Sequence, residues 1–295
     1  MKTKLNFIDL FAGAGGLSEG FIRAGFTPIA HVEMNKDACD TLRTRTAFHY
    51  LKENERVDEY YEYLKGNISR DELWNKIPNH LINSVINKEI SPKTLPEIFE
   101  KIDNELKGDD VDLVIGGPPC QAYSVAGRAR KNMEDDPRNH LYKHYVEFLK
   151  RYKPRMFVFE NVPGILSANN GEYLEKIFNA VKKQGYHLEK QVLNAKNFNV
   201  LQDRKRVIII GWRKDLKFQY PKFEDKEVQF EVLKHLFSDL PKLKSGQGEW
   251  NVSKYAKKTN TYLETTGIRN GIDFTTQHIA RFNNEKDLEI YRIAV

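Results

Sequence analysis

Hydrophobic and polar positions alternate at the start of the chain in a way that predicts strand, helix, strand and helix in turn. The predicted pieces are an apolar run at Leu5–Phe11, helical spacing over residues 17–24 that stops at Gly25, a second apolar run at 29–33, and a helix through Leu42 that Asn35 can cap. This β-α-β-α order favours a parallel sheet that is covered by helices, an α/β fold.

Residues 43–108 read differently, because they are highly charged and rich in Tyr and Asn. We interpret them as a helical insertion without a strong strand. Strand and helix signals then resume as strands at 111–117, 156–161, 187–193 and 206–212 and helices that end near Lys150 and span 171–184. After Lys214 the pattern breaks into short amphipathic pieces, so we place a domain boundary near residue 220, with one domain over 1–220 and the start of another over 221–295.

Composition narrows the class of protein. The chain has 295 residues, 47 Lys and Arg against 41 Asp and Glu, and two cysteines, Cys39 and Cys120. Two cysteines without Cys/His metal spacing exclude a disulfide framework and a structural zinc site, and no long apolar run suggests a signal peptide or a membrane span. We therefore expect a cytoplasmic protein. The charge of +6 permits nucleic-acid binding but does not argue strongly for it.

The end of the sequence reads as an unfinished element. Residues 285–295 form an amphipathic helical pattern that has no Gly, Asn or Pro as a stop signal. We expect the chain to end inside an element, so that the region after residue 220 is the cut-short beginning of a second domain.

A glycine-rich turn follows the first strand. Gly13, Gly15 and Gly16 lie where the strand becomes a helix, and glycine there lets the backbone approach a nucleoside-type cofactor closely. Glu33 ends the second strand 20 residues after Gly13, the distance at which a carboxylate accepts hydrogen bonds from ribose hydroxyls. Met34 either packs on an adenine ring or belongs to the core.

Cys120 follows a strand that ends in Gly-Gly-Pro-Pro. A thiol at the carboxyl end of a parallel strand lies where such sheets place ligands, which suits a nucleophile. The polar loop over residues 121–138 is rich in Arg and Lys and can close over an anionic substrate, although its acidic residues also allow a plain solvated loop. Cys39, on a predicted helix, reads as a small buried side chain.

Two further segments bring charged groups to strand ends. Glu160 ends an apolar strand, and Asn161 can fix the Pro-Gly turn that comes next. The segment 202–206 leads into the last apolar strand, so that strand alternation points Gln202, Arg204 and Arg206 one way. This face offers two guanidinium groups, although an ordinary charged strand entry would look the same.

Together these motifs resemble those of the DNA (cytosine-5) methyltransferase family. DLFAGAGG resembles its cofactor motif, GGPPCQAYS its nucleophile motif, ENVPG its carboxylate motif and QDRKRV its arginine motif, in the family's order over about residues 5–212. The resemblance implies a Rossmann-like S-adenosylmethionine-dependent fold, a mostly parallel sheet with helices on both faces.

The resemblance also assigns roles to residues of this sequence. It implies a cofactor pocket formed by Phe11, Gly13, Gly15, Gly16, Glu33, Met34, Glu89, Pro118 and Leu141. It implies that Cys120 is the nucleophile, that Glu160 binds the ring nitrogen and exocyclic amine of cytosine, and that Arg206, with Arg204, holds the base carbonyl. Substrate contacts are expected from Gln121, Ser124, Arg128, Asn161 and Gln202.

The sequence departs from the family pattern in places. Glu89 is the best match to an acidic contact with the cofactor adenine, and Asn67 is a second candidate. Tyr123 replaces a more usual Phe, and the two final motifs, including a Gly-Asn turn, have no match in these 295 residues. The resemblance implies that residues 1–220 are the catalytic S-adenosylmethionine-binding domain and that residues 221–295 are the beginning of the family's target-recognition region, most of which is missing. A missing C-terminal segment or a second chain is therefore expected to complete the enzyme.

The reaction implied is transfer of a methyl group from S-adenosylmethionine, leaving S-adenosylhomocysteine, to C5 of a cytosine flipped out of double-stranded DNA. A thiol at position 120 favours methylation at carbon over methylation of an exocyclic amine. No metal and no membrane are expected, and the resemblance implies a restriction-modification enzyme of a prokaryotic cell. Two alternatives remain open: an RNA (tRNA) cytosine-5 methyltransferase, and a non-catalytic nucleic-acid-binding subunit with the same fold.

Overall fold

A seven-stranded sheet organises most of the sequence up to residue 224. The computed structural model describes residues 4–119, 140–224 and 232–294. The strands are β1 (Asn6–Leu10), β2 (Thr27–Glu33), β3 (Val85–Asn87), β4 (Leu113–Gly116), β5 (Met156–Asn161), β6 (Tyr186–Asn194) and β7 (Lys205–Arg213). Their order in the sheet is β3-β2-β1-β4-β5-β7-β6, with β7 antiparallel to both neighbours and the other pairs parallel. This architecture confirms the predicted α/β fold class.

Helices cover both faces of this sheet, because its strands point apolar side chains to both faces. The helices of the chain are α1 (Gly16–Arg23), α2 (Lys36–Glu53), α3 (Val57–Leu64), α4 (Arg70–Trp74), α5 (Asn79–Asn83), α6 (Leu95–Leu106), α7 (Leu141–Tyr152), α8 (Glu172–Lys182), α9 (Val232–Leu236), α10 (Thr261–Thr265) and α11 (Glu285–Ala294). Ile8 and Leu10 pack in one core with residues of α6, α7 and α8, while Phe7 and Ile115 pack in another with residues of α1.

The order of the strands creates a crevice at one edge of the sheet. From β1 the chain adds β2 and β3 on one side and then β4 and β5 on the other, so the two sides diverge beside β1. Ligands of such sheets bind outside the carboxyl ends of the strands at this switch point. Because β7 is antiparallel to β5, with Val207 opposite Asn161, the start of β7 lies at the same edge.

The chain divides into two compact units that do not follow its order. The first unit comprises residues 1–47 and 77–227, and the second comprises residues 48–76 and 228–295. The segment 43–108, expected to be one helical insertion, is thus shared between the two units. It is also not wholly helical, since Val85–Asn87 joins the sheet as β3.

The strands in the described part of the second unit are all short. They are β8 (Gly248–Glu249), β9 (Ser253–Lys254), β10 (Phe274–Thr275) and β11 (His278–Ile279). β8 pairs with β11 and β9 with β10, both antiparallel, so that residues 248–254 run against 274–279 as one interrupted hairpin. Its buried side chains include Leu51 and Leu73 from the insertion and Leu263 from α10. In the described parts of both units, no helix is long and apolar enough to cross a membrane.

Candidate functional site

The glycine-rich turn after β1 adopts backbone conformations that require glycine. Gly13 and Gly15 have φ values of +55° and +87°. A Cβ on Gly15 would lie 2.8 Å from Leu42 Cδ2, so this position also needs a residue without a side chain. Gly16 begins α1, and the Ser18 hydroxyl donates to the Gly15 carbonyl at 3.1 Å. The turn is therefore a fixed structure that brings bare backbone to the crevice.

Glu33 at the end of β2 holds this turn in place. Its Oε2 accepts a hydrogen bond from the Gly13 amide and its Oε1 accepts one from the Asn35 amide, both at 2.8 Å. Each oxygen of a carboxylate has two acceptor positions, so both keep one for a ligand. The predicted role of Glu33 toward ribose hydroxyls is compatible with this geometry.

Cys39 contacts the same strand end through its thiol. Its thiol is fully buried and donates to the Glu33 carbonyl at 3.3 Å. Burial raises the pKa of the Cys39 thiol, which disfavours the reactive thiolate. The prediction that Cys39 is a small buried side chain is confirmed.

A cavity of about 600 Å³ opens beside the glycine-rich turn. Five residues that the sequence analysis assigned to the cofactor line it: Phe11, Glu33, Met34, Glu89 and Leu141. Gly13, Gly15, Gly16 and Pro118 are not among its lining residues. The Met34 side chain is 66% exposed, which excludes a place in the core. Cavities of this size hold cofactor-sized ligands.

The structure separates the two candidates for the adenine contact. Glu89 lines the cavity, whereas Asn67 belongs to the second unit and donates its amide to Glu62 at 2.6 Å. The cavity also contains residues that the sequence analysis missed, namely Lys88, Ile90, Ser91, Pro92 and His144. Four of them follow β3, whose three residues are too few to give a clear strand signal.

Glu160 and Arg206 meet at the same edge of the sheet. Arg206 Nε lies 2.7 Å from Glu160 Oε1, and the two side chains are 23% and 28% exposed. Arg206 also donates through Nη1 to the Lys205 carbonyl at 2.8 Å. The predicted pairing of a carboxylate with a guanidinium is therefore present, and both groups remain partly open to a ligand.

Gly117 leaves the space that Glu160 occupies. A Cβ on Gly117 would lie 2.7 Å from Glu160 Oε2 and 3.0 Å from its carbonyl oxygen. The preceding Gly116 is equally constrained, because its Cβ would lie 2.5 Å from the Leu10 carbonyl oxygen. The two glycines thus allow β4 to run between β1 and Glu160 without a side chain in the way.

Asn161 ties β5 to the turn that leads to Cys120. Its buried side chain donates to the Pro118 carbonyl at 3.0 Å and accepts from the Val162 amide at 2.9 Å. Asn161 was expected to fix the turn after β5 and to contact substrate; its amide also fixes the turn after β4. Cys120 itself, with Gln121, Ser124 and Arg128, lies outside the described residues.

Arg204 and Gln202 lie before β7 begins, so the strand alternation predicted for 202–206 does not apply to them. Asn194 holds this segment by accepting from the Arg204 amide at 3.1 Å and donating to Asp203 at 2.9 Å. The side chains of Gln202 and Arg204 are exposed. The structure brings Arg206, but not Arg204, into contact with Glu160.

A buried polar pair, Asp9 and His31, also escaped the sequence analysis. The two residues are register partners in β1 and β2, and 3.5 Å separates Asp9 Oδ2 from His31 Nδ1. Burial raises the pKa of the Asp9 carboxyl. Elsewhere in the described chain, no group of three or more His, Cys, Asp or Glu side chains is arranged to hold a metal ion.

The sequence is similar to those of known methyltransferases. The chain is 36% identical to the Type II methyltransferase M.Bpa9945I of Bacillus paralicheniformis, covering 98% of this chain and 73% of that protein. It is 31% identical to M1.HphI of Haemophilus parahaemolyticus and 34% identical to M.MthTI of Methanothermobacter thermautotrophicus, and spans 62% and 58% of their lengths. These relatives are Type II methyltransferases, which confirms the predicted enzyme class.

Solved structures agree on the fold. A prophage-encoded Escherichia coli protein described as a DNA modification methyltransferase superposes with a TM-score of 0.58 at 24% identity, over 88% of this chain and 64% of that one. The Dnmt2 methyltransferase of S. pombe gives 0.52 at 16% identity over 99% and 82% of the two chains. Residues 5–69 and 81–294 match the protein family described as C-5 cytosine-specific DNA methylase. The chain belongs to the C-5 cytosine-specific DNA methylase family.

Proposed function

We propose that this chain methylates C5 of a cytosine flipped out of double-stranded DNA, with Cys120 as the nucleophile. The observation that carries the proposal is the edge of the sheet where three features meet. The Glu160–Arg206 pair, the turn at residues 117–119 that comes directly before Cys120 in the sequence, and a cavity of about 600 Å³ lie together there.

S-adenosylmethionine fits the residues that line the cavity. Glu33 keeps free acceptor positions for ribose hydroxyls, the exposed Met34 and Phe11 offer apolar surface to a flat ring, and Glu89 offers a carboxylate. When bound, S-adenosylmethionine supplies an electrophilic methyl group on a sulfonium. The family's use of this cofactor, together with the lining, supports its binding here.

The chain's own residues activate the cytosine. The Cys120 thiolate adds to C6, which makes C5 nucleophilic enough to accept the methyl group; a base then removes the C5 proton, and the thiolate leaves. Glu160 accepts from the exocyclic amine through one oxygen and supplies a proton to N3 through the other, because negative charge develops on N3 when the thiolate adds to C6. Arg206 uses Nε for Glu160 and Nη1 for a backbone carbonyl, so its remaining N–H donors are available for the base carbonyl O2.

The pairing of Glu160 with Arg206 before any base arrives has a catalytic consequence. Each group holds the other near the place where the cytosine edge must lie, so little reorganisation is needed during the reaction. Asn161 links the end of β5 to the Pro118 carbonyl, so the strand end that carries Glu160 and the turn after β4 belong to one hydrogen-bonded framework. Base flipping is required because C5 and C6 are shielded inside a duplex.

The biological role that we propose is protection of DNA in a restriction-modification system inside a prokaryotic cell. It rests on the names of the relatives, which are Type II methyltransferases of bacteria and an archaeon. We further propose that a segment or second chain carrying the family's Gly-Asn turn contributes to full activity, because these 295 residues hold no match to it.

Covalent trapping tests the reaction directly. A duplex that contains 5-fluorocytosine, incubated with S-adenosylmethionine and the product of the complete gene, should give an adduct that survives denaturation, because the fluorine blocks release of the thiolate. Cys120→Ser should give none. Cys39→Ser, which keeps a hydrogen-bond donor toward the Glu33 carbonyl, is the matched control and should still give it.

Two outcomes would contradict the proposal: an adduct with Cys120→Ser, or no adduct with the unmodified protein. Running the 295-residue chain beside the complete gene product tests the need for the additional motif. Equal methyl transfer by both would show that the chain needs no further part.

A further inference from the structure

Residues 48–76 are the part of the insertion that belongs to the second unit, and they pack against the interrupted hairpin of that unit. The Tyr61 ring meets the Phe274 ring edge-on, with 6.4 Å between centroids, and Lys65 Nζ lies 5.8 Å from the centre of the same ring. Residues 70–80 fall between the two segments that match the family.

The loop between α3 and α4 touches the hairpin beside its most exposed aromatic residue. Gly66 has a φ of +79°, and a Cβ there would lie 2.5 Å from Asn251 Nδ2. Asn251 follows Trp250, so the Gly66 loop meets the side chain of the residue next to this tryptophan. Any side chain at position 66 would have to displace Asn251.

Trp250 is exposed although its backbone is held firmly. Its side chain is 66% exposed, and its carbonyl accepts from the Gln277 amide at 2.7 Å. The paired strands β8 and β11 lie on one side of it along the hairpin, and β9 and β10 lie on the other. Tryptophan is enriched at contact surfaces, because its ring buries a large apolar area and its N–H donates to a partner.

Unpaired positive charge surrounds Trp250 in the sequence. Five exposed lysines lie between residues 242 and 258: Lys242, Lys244, Lys254, Lys257 and Lys258. In the described structure none of them forms an ion pair with a carboxylate, and the segment contains a single acidic residue, Glu249. Lysines that are left without carboxylate partners are suited to phosphates.

We propose that Trp250 and these lysines contact duplex DNA, and that the Gly66 loop of the insertion fixes the position of Trp250. The inference rests on the proposed function, because it assigns part of the DNA contact for that reaction. The lysines would neutralise phosphates, and the indole would pack against sugar or base edges in a groove. Neither the insertion nor Trp250 belongs to the site that holds Glu160 and Arg206.

Binding of a fluorescently labelled duplex tests the surface. Trp250→Ala should weaken the affinity about tenfold without changing its salt dependence, and Trp250→Phe should restore most of the loss. Lys254→Ala should instead lower the slope of log K against log salt by about 1. Tyr291→Ala is the control, since Tyr291 is an exposed aromatic residue of the same unit, on α11 and outside the lysine segment, and it should bind like the unmodified chain.

Two glycine variants test whether the Gly66 loop fixes the position of Trp250. Gly66→Ala should weaken DNA binding as Trp250→Ala does and should add little in the double variant. Gly267→Ala is the matched control, because Gly267 also has a positive φ but its Cβ would meet no atom within 4 Å. An equal loss of DNA affinity in both glycine variants would contradict the role of the Gly66 loop, because backbone strain at a positive φ would then explain both losses.

Three results would overturn the DNA surface: unchanged duplex affinity of Trp250→Ala, equal loss in Tyr291→Ala, or tighter binding of a structured RNA than of duplex DNA with the same dependence on Trp250. The trapping experiment separates this inference from the proposed function. An adduct with Cys120 combined with unchanged affinity in Trp250→Ala would reject the surface and keep the reaction.

Discussion

The first unit is built on a sheet of seven strands, three to nine residues long, whereas the second unit has four strands of two residues each. The sheet unit buries apolar faces of helices that are close in sequence to the strands they cover. The second unit joins residues 48–76 to residues beyond 228, and its buried Asp239 pairs with Arg269.

This difference shows two ways of specifying a structure. In the first unit, each strand and helix carries its own pattern of hydrophobic positions, so the site follows from local signals and the order of the strands. In the second unit, little is specified locally, and contacts between distant residues decide where the short strands pair. Substitutions should therefore act differently in the two units.

The largest effect is expected from the buried ion pair of the second unit. Arg269 donates through Nε to Asp239 Oδ2 at 2.6 Å, and its guanidinium carbon lies 3.5 Å from the centre of the Tyr255 ring. Asp239 is 1% exposed, so Arg269→Met would leave a buried carboxylate without its partner at a cost of about 3–5 kcal/mol. Hydrogen exchange should accelerate in residues 253–275 while β1 and β4 stay protected.

A double variant sharpens this test. Asp239→Asn combined with Arg269→Met removes the uncompensated charge and should recover part of the lost stability. Equal acceleration of exchange in β1 and β4 would contradict the prediction, because every described partner of Arg269 named above lies in the second unit.

The next effect concerns the reaction and leaves the fold intact. Gly117→Ala would place a Cβ 2.7 Å from Glu160 Oε2, so the carboxylate must move and its contact with Arg206 is disturbed. Displacement of a positioned group by about 1 Å can cost about 10²-fold in rate. Adduct formation on 5-fluorocytosine DNA should fall by about that factor, with an unchanged circular dichroism spectrum.

Gly20→Ala provides the control for Gly117→Ala. Gly20 lies inside α1, its Cβ would meet no atom within 4 Å, and alanine is favoured over glycine in a helix. This variant should form the adduct at the unmodified rate. Adduct formation at that rate by Gly117→Ala would show that the Glu160 position tolerates the added methyl group.

The sequence allowed most of the sheet unit to be predicted. Six of its seven strands coincide with predicted apolar runs, and the pairing of Glu160 with Arg206 follows from two strand ends at one edge. The strand that was not predicted is β3, which has three residues in a charged context. Its apolar side chains are recognisable as part of a strand only from the pairing of Val85 with His31 in the sheet. With β3 missed, Lys88 and Ser91 were missed as cavity residues too.

The organisation of the second unit was beyond prediction for a physical reason. Tyr61 and Phe274 are more than two hundred positions apart in the sequence, and nothing in the local pattern of either residue indicates the other. Arg204 shows the same limit on a smaller scale, because strand alternation was applied one residue before the strand begins at Lys205. Pairing by Asn194 with this segment decides the geometry there.

The smallest effect that we predict is a pH dependence from the cavity wall. Burial lowers the pKa of the His144 imidazole below that of the unfolded chain, which is about 6.5. Between the lowered pKa and about 6.5, the unfolded state binds more protons, so the free energy of unfolding rises with pH there and levels off above. His144→Gln should remove this slope, a change below about 1 kcal/mol. Urea unfolding at about pH 5.5 and 7.5 measures it, and an equal slope in both proteins would place the proton uptake on another group.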